Sequence, residues 1–313
     1  MKLFDLHCDT FYDIYAKKIP LAQNDLHIDL EKLSGYEASV QTSAIWASKK
    51  KGNEECWEFF LNACTAMDAE IAKNPRAVRV TDAASIRRAV EEGKNAFILA
   101  VEDARMLNGY ISRVDTMREM GVRFMTLQWG GPTIIGGAHD TDLPLTDFGR
   151  AVVRRCFEVG IIPDVSHASR AVTAEVLEMA KAAGKPVVAT HSNSFGVFAH
   201  TRNLTDDEFR TIISLGGLAG ISMVPYHLTD YDNGAPCDLQ TLADHILHYI
   251  SLGGENTVCM GSDFDGVGVL PDGIENISSL PRLADHLRRG GMSEEQIEKI
   301  FFRNAYDFAM RNL

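Results

Sequence analysis

The 313-residue chain has six cysteines (Cys8, Cys56, Cys64, Cys156, Cys237, Cys259), but none stands in CxxC spacing. That scatter excludes a zinc knuckle and offers no disulfide framework; it suits reduced thiols in a cytoplasmic protein. No stretch of about 18 uninterrupted apolar residues occurs, so no membrane-spanning helix or anchor is expected. No basic segment followed by an apolar one precedes the first apolar run, so no secretory leader is read. Positive charge is also scarce: 31 Lys and Arg against 43 Asp and Glu leave a net charge of −12. Together with a pI near 5.3, this argues against a nucleic-acid or anionic-membrane surface. No Gly-rich fingerprint follows the first apolar run, which disfavours an open doubly wound sheet.

What the chain does have is eight short apolar runs: 3–6, 40–47, 96–101, 122–127, 161–165, 186–190, 218–224 and 257–261. They are rich in Val, Ile, Leu and Phe with little polar alternation, as expected of strands buried on both faces. Segments with helical spacing lie between them. Residues 54–73 repeat apolar side chains every three to four positions, Thr146-Asp147 precede 148–159, and Ser169 opens 170–183. Thr205-Asp206-Asp207-Glu208 has the form of a capping box before 209–215. Glycines at 93, 121, 160, 184, 216–217 and 253–254 stand where these helices end. Strand–helix alternation repeated eight times, without a break in composition, predicts one (β/α)8 TIM barrel over 1–313. A helical extension over about 279–313 is expected to pack outside or across it.

The residues able to bind metal concentrate at the ends of these runs. His7 and Asp9 stand two apart at the end of the first, where strand alternation points both to one side. Glu102, His167, His191 and Asp263 end later runs. A lone histidine at a strand end is more often structural, but three histidines and three carboxylates on one barrel rim point to metal. Imidazole and carboxylate suit Zn²⁺, as well as Mn²⁺, Fe²⁺ or Co²⁺. Two cations about 3.5–4 Å apart need an anionic bridge, which Glu102 could supply. Water held there becomes a nucleophile near neutral pH, and Asp263 is the group placed for general acid/base work. Cys8, between His7 and Asp9, is read as a packing residue facing away.

Six motifs then carry a resemblance over most of the chain: His7-Cys8-Asp9-Thr10, Leu145 to Arg150 (LTDFGR), Asp164-Val165-Ser166-His167, Thr190-His191-Ser192-Asn193, Arg202 to Asp206 (RNLTD) and Gly261 to Gly266 (GSDFDG). In this order they resemble the membrane (renal) dipeptidase family, peptidase family M19, zinc dipeptidases of the amidohydrolase superfamily. The resemblance implies a barrel with two zinc ions that hydrolyses dipeptides, tolerates a D-residue at the carboxyl side, and forms a homodimer. It further implies that His7 and Asp9 hold one zinc, His167 and His191 the other, and Glu102 both. Arg202 matches the position that pairs with the substrate carboxylate, a task suited to a planar guanidinium. Asp263 matches the catalytic aspartate, and Asp265 is read as a supporting or loop residue.

The chain departs from animal relatives at Thr126 to Gly130 (TLQWG), where Trp129 replaces a substrate-contacting histidine, as in a bacterial-type branch. Trp129 is expected to wall the pocket or offer an indole donor. Asp103, where relatives often have glycine, is expected to reshape the pocket rim or add charge near the metals. The remaining histidines read as surface or structural, with His139 and His227 on rim loops. A lactonase, N-acyl amino acid hydrolase or deaminase on the same metal set is the alternative reading. A silent binding barrel is disfavoured because no ligand position is lost.

Overall fold

The computed structural model describes residues 1–313. Nine parallel strands form its sheet: β1 (Leu3–Cys8), β2 (Ser39–Trp46), β3 (Ala77–Arg79), β4 (Asn95–Glu102), β5 (Val122–Thr126), β6 (Ile162–Asp164), β7 (Val188–Ala189), β8 (Leu218–Ile221) and β9 (Val258–Met260). The order runs β2-β1-β9-β8-β7-β6-β5-β4, and β2 pairs with β4 from Ser39↔Asn95 to Trp46↔Glu102, closing a barrel of eight strands. With helices between the strands, the expected (β/α)8 architecture is the observed one. The ninth strand, β3, pairs only with the start of β4 (Ala77↔Asn95 to Arg79↔Phe97), below the point where β5 joins at Leu99↔Val122. Sequence reading missed it because three residues, of which only Ala77 is buried, make no apolar run.

Strand β4 shows how the walls are built. Ala96, Ile98 and Ala100 belong to one apolar cluster, and Phe97, Leu99 and Val101 belong to another that includes the surrounding helices. Alternation puts Glu102 on the same face as the first set, at the carboxyl end of the strand. That inner cluster also holds Phe4, Leu6, Val40, Ala44, Phe124 and Val188. Its floor comes from the last helical segments: Phe302, Ala305, Phe308 and Ala309 join it, and the Phe308 ring stacks on Phe124 at 6.4 Å. Residues 299–312 therefore pack across the amino-terminal end of the barrel, while Leu280, Leu283 and Leu287 of the preceding helix join the outer cluster.

The helix starts follow the capping chemistry. Thr146 and Ser169 accept from the backbone N–H groups of Gly149 and Val172, and Thr205 and Glu208 complete a capping box. Strands β6, β7 and β9 stop earlier than their apolar runs. Beyond their ends backbone N–H groups turn to side chains instead: Thr190 N–H to Asp164 Oδ1 (2.9 Å), His191 N–H to Ser166 Oγ (3.1 Å), and Ser262 N–H to Asp5 Oδ1 (2.8 Å). No helix is long and apolar enough to cross a membrane.

Candidate metal centre

Strand β1 ends at Cys8, one residue short of Asp9. A register shift between Asp5 and Cys8, then the turn of Asp9 (φ −99°, ψ 12°) into helix Thr10–Lys17, brings the pair together. His7 Nε2 stands 3.6 Å from Asp9 Oδ2 and 3.6 Å from Glu102 Oε2. The two side chains thus converge through a bulge and a helix entry, not through regular strand alternation. Cys8 turns away, its Sγ 3.5 Å from Ser43 Oγ. His167 and Asp263 lie three residues past β6 and β9 with φ of 68° and 61°, a left-handed backbone that L-residues enter at a cost. Main-chain bonds hold both: His139 N–H donates to the His167 carbonyl (2.7 Å), and Asp263 N–H to that of His7 (3.1 Å).

Glu102 is the hub. Its Oε1 lies 3.0 Å from His167 Nε2 and 3.5 Å from His191 Nε2. The other ring nitrogens decide what those Nε2 atoms carry. His167 Nδ1 is 2.8 Å from the Trp129 carbonyl, an acceptor only, so Nδ1 bears the hydrogen. Thr190 donates its hydroxyl to Asp164 Oδ2 (2.5 Å) and so accepts from His191 Nδ1–H (2.8 Å). In the neutral rings both Nε2 lone pairs therefore face a carboxylate, an arrangement that needs a positive charge between them. His7 Nε2, His191 Nε2 and Asp9 Oδ1 are buried with no hydrogen-bond partner at all. Donor atoms of Glu102, His167 and His191 lie within 4.8 Å of one another, as do those of His7, Asp9 and Asp263. The site's three imidazoles and three carboxylates, with no thiolate, are a set that fits Zn²⁺.

Titration tells the same story. Burial alone raises a carboxyl, yet the charge of the His7 imidazole overrides it and holds Glu102 well below the usual range. Burial pulls His167 down to about 4, with Arg202 acting the same way. It also carries His191 well below its ordinary value, helped by His7. His7 goes the other way: Glu102 and Asp9 outweigh its burial and hold it well above. The cluster demands a cation, as proton or as metal. Burial pushes Asp263 well above the carboxylate range, and the charges of Asp9 and Glu102 add to it.

Around this hub opens a cavity of about 520 Å³, lined among others by Tyr12, Trp46, Trp129, His139, Arg202 and His227. Arg202 is 4% exposed, and none of its three guanidinium nitrogens has a hydrogen-bond partner. Burial lowers it only to about 10, so it stays charged. A surface pair with Asp206 or Asp207 is ruled out: those carboxylates meet His248 and Arg210. Trp129 lies 28° from parallel to His167 with ring centres 6.0 Å apart, a wall beside that histidine. Asp103 corrects the expectation placed on it. It is fully buried and outside the cavity lining, accepting from Arg105 N–H (2.9 Å) with Arg105 Nε at 3.3 Å. Asp265 accepts from Thr10 Oγ1 (2.6 Å) and His27 N–H (2.5 Å), a supporting position, and His139 and His227 do line the rim.

Sequence reading passed over Asp164 as a working residue. It lies near His7 and His191, but four donors already occupy it: Ser166 N–H, Thr190 N–H, Thr126 Oγ1 and Thr190 Oγ1. It is the clamp that fixes Thr190 and, through it, the His191 tautomer. The signal was present in the Asp-Val-Ser-His and Thr-His motifs, where only the histidines drew notice. Trp46, Tyr12 and Lys49, also on the cavity wall, had no such signal.

Comparison with known proteins fits this geometry. A family model described as membrane dipeptidase (peptidase family M19) matches residues 1–308. A metallopeptidase from Rhodobacter sphaeroides, liganded with a phosphinate mimic of the dipeptide L-Ala-D-Ala, is 25% identical and superposes with a TM-score of 0.91 over 100% of this chain and 99% of its own. The dipeptidase AC, a metallopeptidase of family M19, is 26% identical with a TM-score of 0.91 over 100% and 98%. An amidohydrolase from Pseudomonas aeruginosa is 25% identical with a TM-score of 0.81 over 99% and 95%.

Proposed function

The chain belongs to the membrane dipeptidase family, peptidase family M19, and is a metal-dependent dipeptidase; on that premise we propose that its cofactor is a pair of zinc ions. His7 and Asp9 would hold one, His167 and His191 the other, and Glu102 both. The observation that carries this is the convergence of bare imidazole nitrogens on the Glu102 carboxylate, at 3.0 and 3.5 Å, with no proton donor between. When bound, the ions supply Lewis acidity to a carbonyl and acidify water.

The chain's own groups do the rest. Arg202 presents an unpaired, buried fork to the free carboxylate of the substrate, which sets the distance from scissile bond to C-terminus and restricts substrates to dipeptides. Asp263, whose Oδ1 lies 4.0 Å from His7 Nε2 on the cavity wall, would take a proton from the attacking water and deliver it to the departing amine. The phosphinate mimic of L-Ala-D-Ala bound by the Rhodobacter relative supports acceptance of a C-terminal D-residue here too. Trp129 closes the pocket beside His167 and excludes water from that side.

Elemental analysis of the purified protein, coupled to turnover of L-Ala-L-Ala, L-Ala-D-Ala, N-acetyl amino acids and homoserine lactones, tests the reading. Two zinc ions per chain and turnover confined to the dipeptides are expected. Fewer than one ion, or turnover confined to lactones or N-acyl substrates, would overturn it.

A further inference from the structure

The cavity has two permanent cations, Arg202 and Lys49, carried by loops that follow different strands. Arg202 lies in the loop after β7, and Lys49 lies three residues past the end of β2. In the closed order β2-β1-β9-β8-β7 and, the other way, β2-β4-β5-β6-β7, these two strands are four steps apart in either direction. The two strands are diametrically opposed across the barrel mouth, and the Lys49 ammonium reaches from its side to Gly130 and Trp129 in the loop after β5. Arg202 awaits one carboxylate; Lys49 lacks one too. No carboxylate comes within 4.0 Å of its ammonium, which rests instead over the Trp129 ring at 5.0 Å.

The acids of the outer cavity are already engaged. Asp13 is held by Lys17 (2.6 Å) and Asp265 by Thr10 and His27, while Asp140 accepts from Gly131 N–H (2.7 Å) and feels the Lys49 charge without pairing with it. The loop after β2 is basic throughout, reading Ser48-Lys49-Lys50-Lys51-Gly52, in a chain whose net charge is −12. Lys50 and Lys51 line a neighbouring surface hollow that shares Tyr12 with the cavity, so the positive field continues outward. With the C-terminal carboxylate at Arg202, the residue on the amino side of the scissile bond would reach the wall formed by Trp46, Lys49 and Trp129.

Resting on the dipeptidase reading above, we propose that Lys49 is a specificity residue for the first residue of the substrate, and that this enzyme prefers dipeptides beginning with Asp or Glu. The acidic side chain would pair with Lys49 while its methylenes lie along Trp46 and Trp129, whose ring centres are 4.8 Å apart. Both ends of the substrate would then carry a negative charge matched by a cation, and low ionic strength would favour its capture.

The test compares kcat/KM for L-Glu-L-Ala, L-Ala-L-Ala and L-Lys-L-Ala in the zinc-loaded wild type, Lys49→Ala and Lys49→Glu. Calorimetric Kd values for phosphinate pseudo-dipeptides of the Glu-Ala and Ala-Ala type give a second readout. An acidic-over-neutral ratio of about five is expected in the wild type, the size a partly exposed ion pair supplies. The ratio should fall to about one in Lys49→Ala and invert in favour of L-Lys-L-Ala in Lys49→Glu, with parallel Kd shifts. Turnover of L-Ala-L-Ala without any acidic preference, or a preference that survives Lys49→Ala, overturns the assignment and leaves the dipeptidase reading in place. No turnover of any of the three peptides overturns both.

Discussion

Glu102 receives no hydrogen from His167 or His191, and that makes it the residue on which the centre turns. Replacing it with Gln keeps the shape but removes the charge that faces three imidazoles. Zinc content of Glu102→Gln should drop below one ion per chain and kcat fall at least about a hundredfold; retained zinc and turnover would refute the bridging role. Asp103, its neighbour, acts on stability instead. Burial raises its carboxyl to about 7 against an ordinary 3.8. Between pH about 4 and 7 the folded state then holds a proton that the unfolded state has released. Stability falls as pH rises through this window, by up to about 4 kcal/mol, and levels off above it. Asp103→Asn removes that slope, so urea midpoints should favour the variant progressively more from pH 5 to pH 8.

At the level of elements, the strand ends hold the site because their backbones run close together. Gly220 in β8 and Gly261 just past β9 sit against the Thr190 carbonyl, and a Cβ at either would overlap that oxygen. Gly261→Ala should push the Thr190–His191 segment outward, lowering stability by about 2–3 kcal/mol and weakening zinc binding. Thermal midpoint and zinc stoichiometry measure the two effects together. Why some of this was legible in the sequence and some was not follows from which interactions are local. Apolar runs and caps at Thr146, Ser169 and Thr205 are short-range features, and they place the barrel strands and several helix starts within a few residues. Glu102 and the five residues that meet around it stand at or just past run ends, so the closed barrel brings them together. The bulge that turns His7 toward Asp9, the burial of Asp103 and the three-residue β3 depend on contacts between distant segments. No local pattern encodes them.

Across the whole molecule, the two ends of the barrel have separate duties. The rim at the carboxyl ends of the strands carries the polar cluster, and the opposite end is sealed by Phe302, Ala305 and Phe308. Phe308→Ala should lower the unfolding free energy by about 3–5 kcal/mol through the cavity it leaves. Zinc stoichiometry of the surviving folded fraction should stay at the wild-type value. The seal also has a consequence for how the protein is made. Residues 299–312 leave the ribosome after every strand, and β1 finds its partner β9 only late in the order of synthesis. Until then the inner apolar wall has no floor and no closing seam. Closure of the barrel therefore waits for β9 and residues 299–312, and the apolar surface left uncovered until then is what a chaperone would shield.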